Sequence, residues 1–142
     1  MNYEPRITFL LSQSISLFRM KLNARLAETG INLTSEMCGV LQVLWREDGK
    51  RQQDIADFLS KDKGGIAKII NGLEQRQLVR RITDRNDARN KLITLTEEGR
   101  EIRKKVSPLI NALHDEMLAG SGEKDIDTTK KILQKIINHL KE

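Results

Sequence analysis

Residues 53–95 constrain the fold more than any other part of this chain. Two helical patterns follow one another closely there, and the texture then changes abruptly to that of strands. Residues 53–59 place Ile55, Ala56 and Leu59 on one side of a short helix, which Ser60-Lys61 breaks. Asp62 then caps a longer helix running to about Gln77. Its Ile66, Ile69, Ile70 and Leu73 recur at the three- and four-residue steps of a buried helical face. Two such helices with a tight connection, the second amphipathic and basic, form the pattern of a helix-turn-helix. Beyond it, residues 78–83 and 90–95 are strand-like and flank a polar turn at 84–89, so a two-stranded hairpin with a charged tip is expected. A lone hairpin is marginal in water, so this one must pack on the helices.

The flanks are helical. Residues 7–29 repeat Ile7, Leu11, Ile15, Phe18, Leu22 and Leu26 along one face, widened by Leu10 and Leu17, and Gly30 stops the helix. Thr34 caps a second helix with Glu36 in its first turn, and Val40, Leu41, Val43, Leu44 and Trp45 make it apolar on most sides. Asp48-Gly49 closes it. Thr96 caps the next helix, with Glu97 and Glu98 behind it. Ile102, Val106, Leu109, Leu113 and Met117 then mark a long helix that Pro108 should bend. After a loop at 119–122, Ile126, Leu133, Ile136, Ile137 and Leu140 carry a last helix. The expected class is mainly α with a small β-hairpin wing, a winged helix-turn-helix between long terminal helices.

The 142 residues carry a formal net charge of +5. All of that excess lies in residues 50–91, where 11 Lys/Arg face 6 Asp/Glu, which points to a polyanionic partner. One Cys excludes an internal disulfide framework and fits a reducing compartment. There is no signal-peptide pattern and no apolar run of membrane-spanning length, so a cytoplasmic chain without membrane association is expected. His114 and His139 have no ligand-like partner spacing, and no phosphate loop, zinc motif or nucleophile elbow is present. No metal, cofactor or enzymatic activity is expected.

The chain resembles, over essentially its whole length, the multiple-antibiotic-resistance regulator (MarR) family of winged-helix transcription factors, and three stretches carry the resemblance. They are Leu33-Thr34 with Val40-Leu41 and Leu44; Asp54-Ile55-Ala56 through Asp62-Lys63 to Leu73-Glu74 and Leu78-Val79-Arg80-Arg81; and Asp87-Ala88-Arg89 with Ile93, Leu95-Thr96 and Gly99. The last is similar to the family's wing signature. The resemblance implies a homodimer, with residues 1–30 and 97–142 as dimerisation helices and 31–96 as the DNA-binding lobe. Three exposed apolar helices in so small a chain argue the same way.

By this reading the helix after Asp62 enters the major groove of double-stranded DNA. Lys63, Gly64, Gly65, Ala67, Lys68 and Asn71 are its exposed candidates. Lys68 suits guanine or phosphate, and Asn71 suits adenine. Arg89 looks like the family arginine of the minor groove, where A·T-rich DNA concentrates negative potential, with Asp87 holding its guanidinium. Arg85 and Lys91 are candidate phosphate contacts. A dimer should prefer pseudo-palindromic operators.

Gly64-Gly65 replaces the family's usual hydroxyl residues, Arg51 stands where a capping Thr is usual, and Gln77 where a glycine is usual. The resemblance further implies a repressor answering to a small, often phenolic or anionic effector. Phe18, Met37, Cys38 and Trp45 are candidate pocket residues, for each of which core packing is the competing role. Two other readings stay open: a winged helix that binds protein and not DNA, and a thiol-based redox sensor acting through Cys38.

Overall fold

The computed structural model describes residues 4–142. In chain order the elements are α1 (Ile7–Glu28), α2 (Ser35–Arg46), β1 (Lys50–Arg51), α3 (Gln52–Phe58), α4 (Lys63–Gln75), β2 (Val79–Thr83), β3 (Lys91–Leu95), α5 (Glu97–Glu101), α6 (Arg103–Met117) and α7 (Glu123–Leu140). They fall into two compact units, Met1–Ile110 and Asn111–Glu142.

Local chemistry sets most boundaries in the first unit. The Thr34 hydroxyl accepts from Met37 N at 3.2 Å and starts α2. Asp62 accepts from Gly65 N at 3.3 Å and starts α4. Each satisfies one of the unpaired N–H groups that any helix start leaves. Three helices end in the same hydrogen-bonded motif. Ile31 N donates to Leu26 O, Lys61 N to Ala56 O and Leu78 N to Leu73 O. The residue before each donor is left-handed: Gly30 at φ +73°, Ser60 at +53° and Gln77 at +61°. Gly30 adopts that geometry freely, whereas Ser60 and Gln77 adopt it against their own Cβ atoms.

The sheet corrects the expected hairpin. It has three antiparallel strands in the order β1-β3-β2, with Val79 opposite Leu95 and Thr83 opposite Lys91. The third strand is only Lys50-Arg51, paired with Ile93 and Leu92, too short to show any alternation in sequence. The Asp48 carboxylate fastens the turn before it, accepting from Gly49 N and Leu95 N, each at 2.9 Å.

The core of this unit closes over α4. Ile66, Ile69, Ile70 and Leu73 are buried at the expected spacing, as are Leu41 and Leu44 of α2, Ile55 of α3 and Ile93 of β3. Burying a Leu or Ile side chain contributes ~1.5–3 kcal/mol.

The helix expected after Thr96 is interrupted at Ile102, giving α5 and α6, with Pro108 inside α6 as expected. Just before the break, Gly99 O accepts from Trp45 Nε1 at 2.8 Å, and after it Lys105 N turns to Ile102 O. The indole of α2 thus takes a carbonyl that a continuous helix would use itself.

The terminal helices hide little of their apolar surface. In α1 only Leu22 and Leu26 are buried, Phe18 is half-buried, and Ile7, Leu10, Leu11, Ile15, Leu17 and Met20 are exposed. The second unit holds α7 and the end of α6. None of α7 is fully buried, and Met117, Leu118, Ile126 and Leu133 border a groove of about 630 Å³. Among the described residues no helix is long and apolar enough to cross a membrane, and no cluster of His, Cys, Asp or Glu is arranged to hold a metal.

Candidate nucleic-acid interface

The first turn of α4 explains its two glycines in part. The Asp62 carboxylate folds back over that turn, and a Cβ at position 65 would lie 2.9 Å from Asp62 Oδ1, one at position 64 3.4 Å from Oδ2. Glycine leaves room for the cap. Lys63, Gly64, Lys68 and Asn71 are exposed, as expected. Gly65 and Ala67 are only half-buried and not open faces, which corrects the reading of both. Gly65 lies beneath the cap, and Ala67 stands one turn before buried Ile70, at the edge of the core stripe.

Residues 84–90 form the tip of the wing, and Asp87 organises it. Asp87 Oδ1 accepts from Arg89 N at 3.0 Å and from Arg89 Nε at 3.2 Å, while Asp87 O accepts from Asn90 N at 3.0 Å. The turn is closed by Asp84 N donating to Asn90 O at 3.0 Å. The Arg89 side chain is 91 % exposed even so, which leaves its outer N–H groups directed to solvent. Arg85 is exposed, and Lys91 Nζ donates to Thr83 Oγ1 at 3.0 Å across the two strands.

The wing is braced against α4 by a contact that sequence spacing does not reveal. Arg81 in β2 donates through Nη1 to Glu74 Oε1 at 2.6 Å and through Nη2 to Asn71 Oδ1 at 2.8 Å. Arg51, in place of a capping Thr, caps nothing with its side chain. It pairs bidentately with Asp54, both contacts at 3.0 Å. That hydrogen bond holds the Asp54 carboxyl below its usual range and raises the Arg51 guanidinium.

The four candidate pocket residues are differently occupied. Met37 is half-buried and lies over Gly72, where a Cβ would come within 2.6 Å of its Cε. Trp45 borders a separate groove of about 250 Å³ with Leu44, Asp48, Leu95, Arg100 and Arg103. Phe18, Met37 and Cys38 do not line that groove, so the four do not converge on it. Cys38 is buried, and burial pushes its thiol up to about 11. A redox sensor requires an exposed thiol with a depressed pKa, and the surroundings of Cys38 work against both.

A helix-turn-helix with an open basic face, braced to a three-stranded wing with an outward arginine, is the architecture of a winged-helix DNA-binding transcription regulator. The MarR family model matches residues 33–91. A MarR-family transcriptional regulator from Rhodococcus sp. RHA1 is 33% identical, with a TM-score of 0.78 over 92% of this chain and 91% of that one. CouR from Rhodococcus jostii RHA1, solved bound to p-coumaroyl-CoA, is 30% identical with a TM-score of 0.80 and the same coverage. The transcriptional activatory protein BadR of Rhodopseudomonas palustris is 28% identical over 145 residues, which span 99% of this chain and 82% of that protein. The chain belongs to the MarR family, whose members are transcription regulators and not enzymes.

Proposed function

We propose that this protein acts in the cytoplasm as a homodimeric, effector-responsive repressor that binds pseudo-palindromic operators. The carrying observation is the pairing of two outward cationic elements in one compact unit: Lys63 and Lys68 on α4, and Arg89 held by Asp87 at the wing tip. Residues 31–96 form the DNA-binding lobe. α4 enters the major groove with Lys63, Gly64, Lys68 and Asn71 forward. Arg89 enters the adjacent minor groove, and Arg85 and Lys91 contact phosphates. Residues 1–30 and 97–142 form the dimer. Support comes from the exposed Ile7, Leu10, Leu17 and Met20 of α1 and Ile132, Ile137 and Leu140 of α7, apolar surface that a second copy would remove from water.

The effector is a small phenolic or anionic molecule. CouR's p-coumaroyl-CoA combines both features, and the Trp45 groove with Arg100 and Arg103 offers an aromatic ring beside two cations. The effector acts by binding one spacing of the two recognition helices better than another. Activation is the second reading, favoured by the name BadR carries.

Fluorescence anisotropy with a duplex from the region upstream of the gene tests the proposal. Wild type should bind with an affinity that falls steeply with salt, and Arg89→Ala should bind about tenfold more weakly with a shallower salt slope. Sedimentation should give a dimer. Salt-independent binding, or equal affinity of wild type and Arg89→Ala, overturns the DNA reading in favour of a protein-binding module.

A further inference from the structure

The amide of Asn71 sits on the open face of α4 with one end already committed. Arg81 Nη2 donates to its Oδ1 at 2.8 Å, while Nη1 of the same guanidinium donates to Glu74 Oε1 at 2.6 Å. A guanidinium has donors only, so the end of the amide that faces it must be the oxygen. The NH₂ is therefore the end left over. Glu74 follows Asn71 by three residues on α4, and Arg81 belongs to β2. The bracing spans two elements and fixes the amide's polarity, and the Arg81 charge is matched within the lobe.

We propose that Asn71 reads a keto base, guanine or thymine, through its amide NH₂, and that Arg81 is the positioning residue that sets this choice. The proposal rests on the DNA-binding reading above. In the major groove guanine offers the acceptors O6 and N7, and thymine offers O4. Cytosine offers the N4 amino donor, and adenine pairs its N7 acceptor with the N6 amino donor. An amide with both ends free meets adenine at two points. The Arg81 bond takes one lone pair of that oxygen and fixes the direction in which the amide points, so the oxygen is turned to Arg81 and the NH₂ to the groove. The two-point contact is thereby disfavoured, and a leading donor favours the keto bases and opposes cytosine. This replaces the adenine contact expected from the residue type.

The test is selection from a duplex library with a randomised core, using the full chain as wild type, Asn71→Asp, Asn71→Ala and Arg81→Met. Wild type should enrich guanine or thymine at one position of each half-site. Asn71→Asp keeps the shape and the partner but turns the donor into an acceptor. The preference there should move to cytosine or adenine, with about tenfold weaker binding to the wild-type site. Asn71→Ala should erase the preference. Arg81→Met frees the amide to turn and should admit adenine. A merely structural Arg81 would weaken all sequences alike, and that outcome, or an Asn71→Asp motif identical to wild type, overturns the inference. Where circular dichroism shows Arg81→Met unfolded, Asn71→Asp decides alone. A wild type that enriches nothing sinks the DNA reading and this inference together, a result distinct from a clear motif that no variant alters.

Discussion

Gly99→Ala probes the joint between the helix-turn-helix and the wing. Gly99 is buried where three strands of contact meet. Its N donates to the Thr96 hydroxyl at 3.0 Å, that hydroxyl donates to Gln77 O at 2.6 Å, and its O accepts from Trp45 Nε1 at 2.8 Å. A Cβ there would overlap the carbonyl oxygen of Leu78 and sit 3.1 Å from Leu78 C and 3.3 Å from Leu95 Cδ2. The obstacle is backbone and cannot swing aside. Leu78 O already accepts from Thr96 N at 3.0 Å, and Leu78 N closes the end of α4. Displacing that peptide costs ~3 kcal/mol as overpacking and ~1 kcal/mol as a weakened buried hydrogen bond. Alanine's better helix propensity returns ~1 kcal/mol. The net loss is about 3 kcal/mol, which lowers Tm by roughly 9 °C in a chain of this size. Urea unfolding at fixed protein concentration measures it. Trp45 is the one tryptophan and is bonded to Gly99 itself, so its emission reports on the site. A variant within about 0.5 kcal/mol of wild type, with unchanged emission, refutes the reasoning.

Gln77→Gly should stabilise the fold by about 0.5–1 kcal/mol, because relief of the left-handed backbone outweighs glycine's entropy; a lower urea midpoint contradicts this. Cys38 should resist a disulfide reagent at pH 8 until the chain is unfolded, and rapid labelling of native protein counts against its burial. The same thiol gives a pH dependence. Its folded pKa is raised from 9.0 to about 11, so the unfolded state releases the proton first, and stability present below pH 9 should be lost as the pH rises towards 11. Cys38→Ala should flatten that part of the stability curve, and an unchanged slope argues that other groups cause it.

What could be read in the sequence was mostly local. Thr34, Asp62 and Thr96 cap their helices through atoms three residues away, and Gly30 turns the chain within one motif. The α4 stripe needs only helical periodicity. Features that depend on distant partners were not legible. The break at Ile102 follows the bond that Trp45 donates to Gly99, fifty-four residues along the chain from it. β1 exists only as a partner for β3, and the Arg81 brace joins a strand to a helix face. At the candidate interface the exposed cations were readable from charge and periodicity. The half-covered state of Gly65 and Ala67 was not, because it depends on how the Asp62 cap folds and where the core stripe ends.

The two residues of β1 do more than extend the sheet. They occupy the flank of β3 at Leu92 and Ile93, where free amides and carbonyls would otherwise invite a foreign strand to add. On the opposite margin β2 carries the exposed Arg80, whose charge discourages the same event. The wing therefore offers a foreign strand little to pair with, and its sheet gives little route to a fibre.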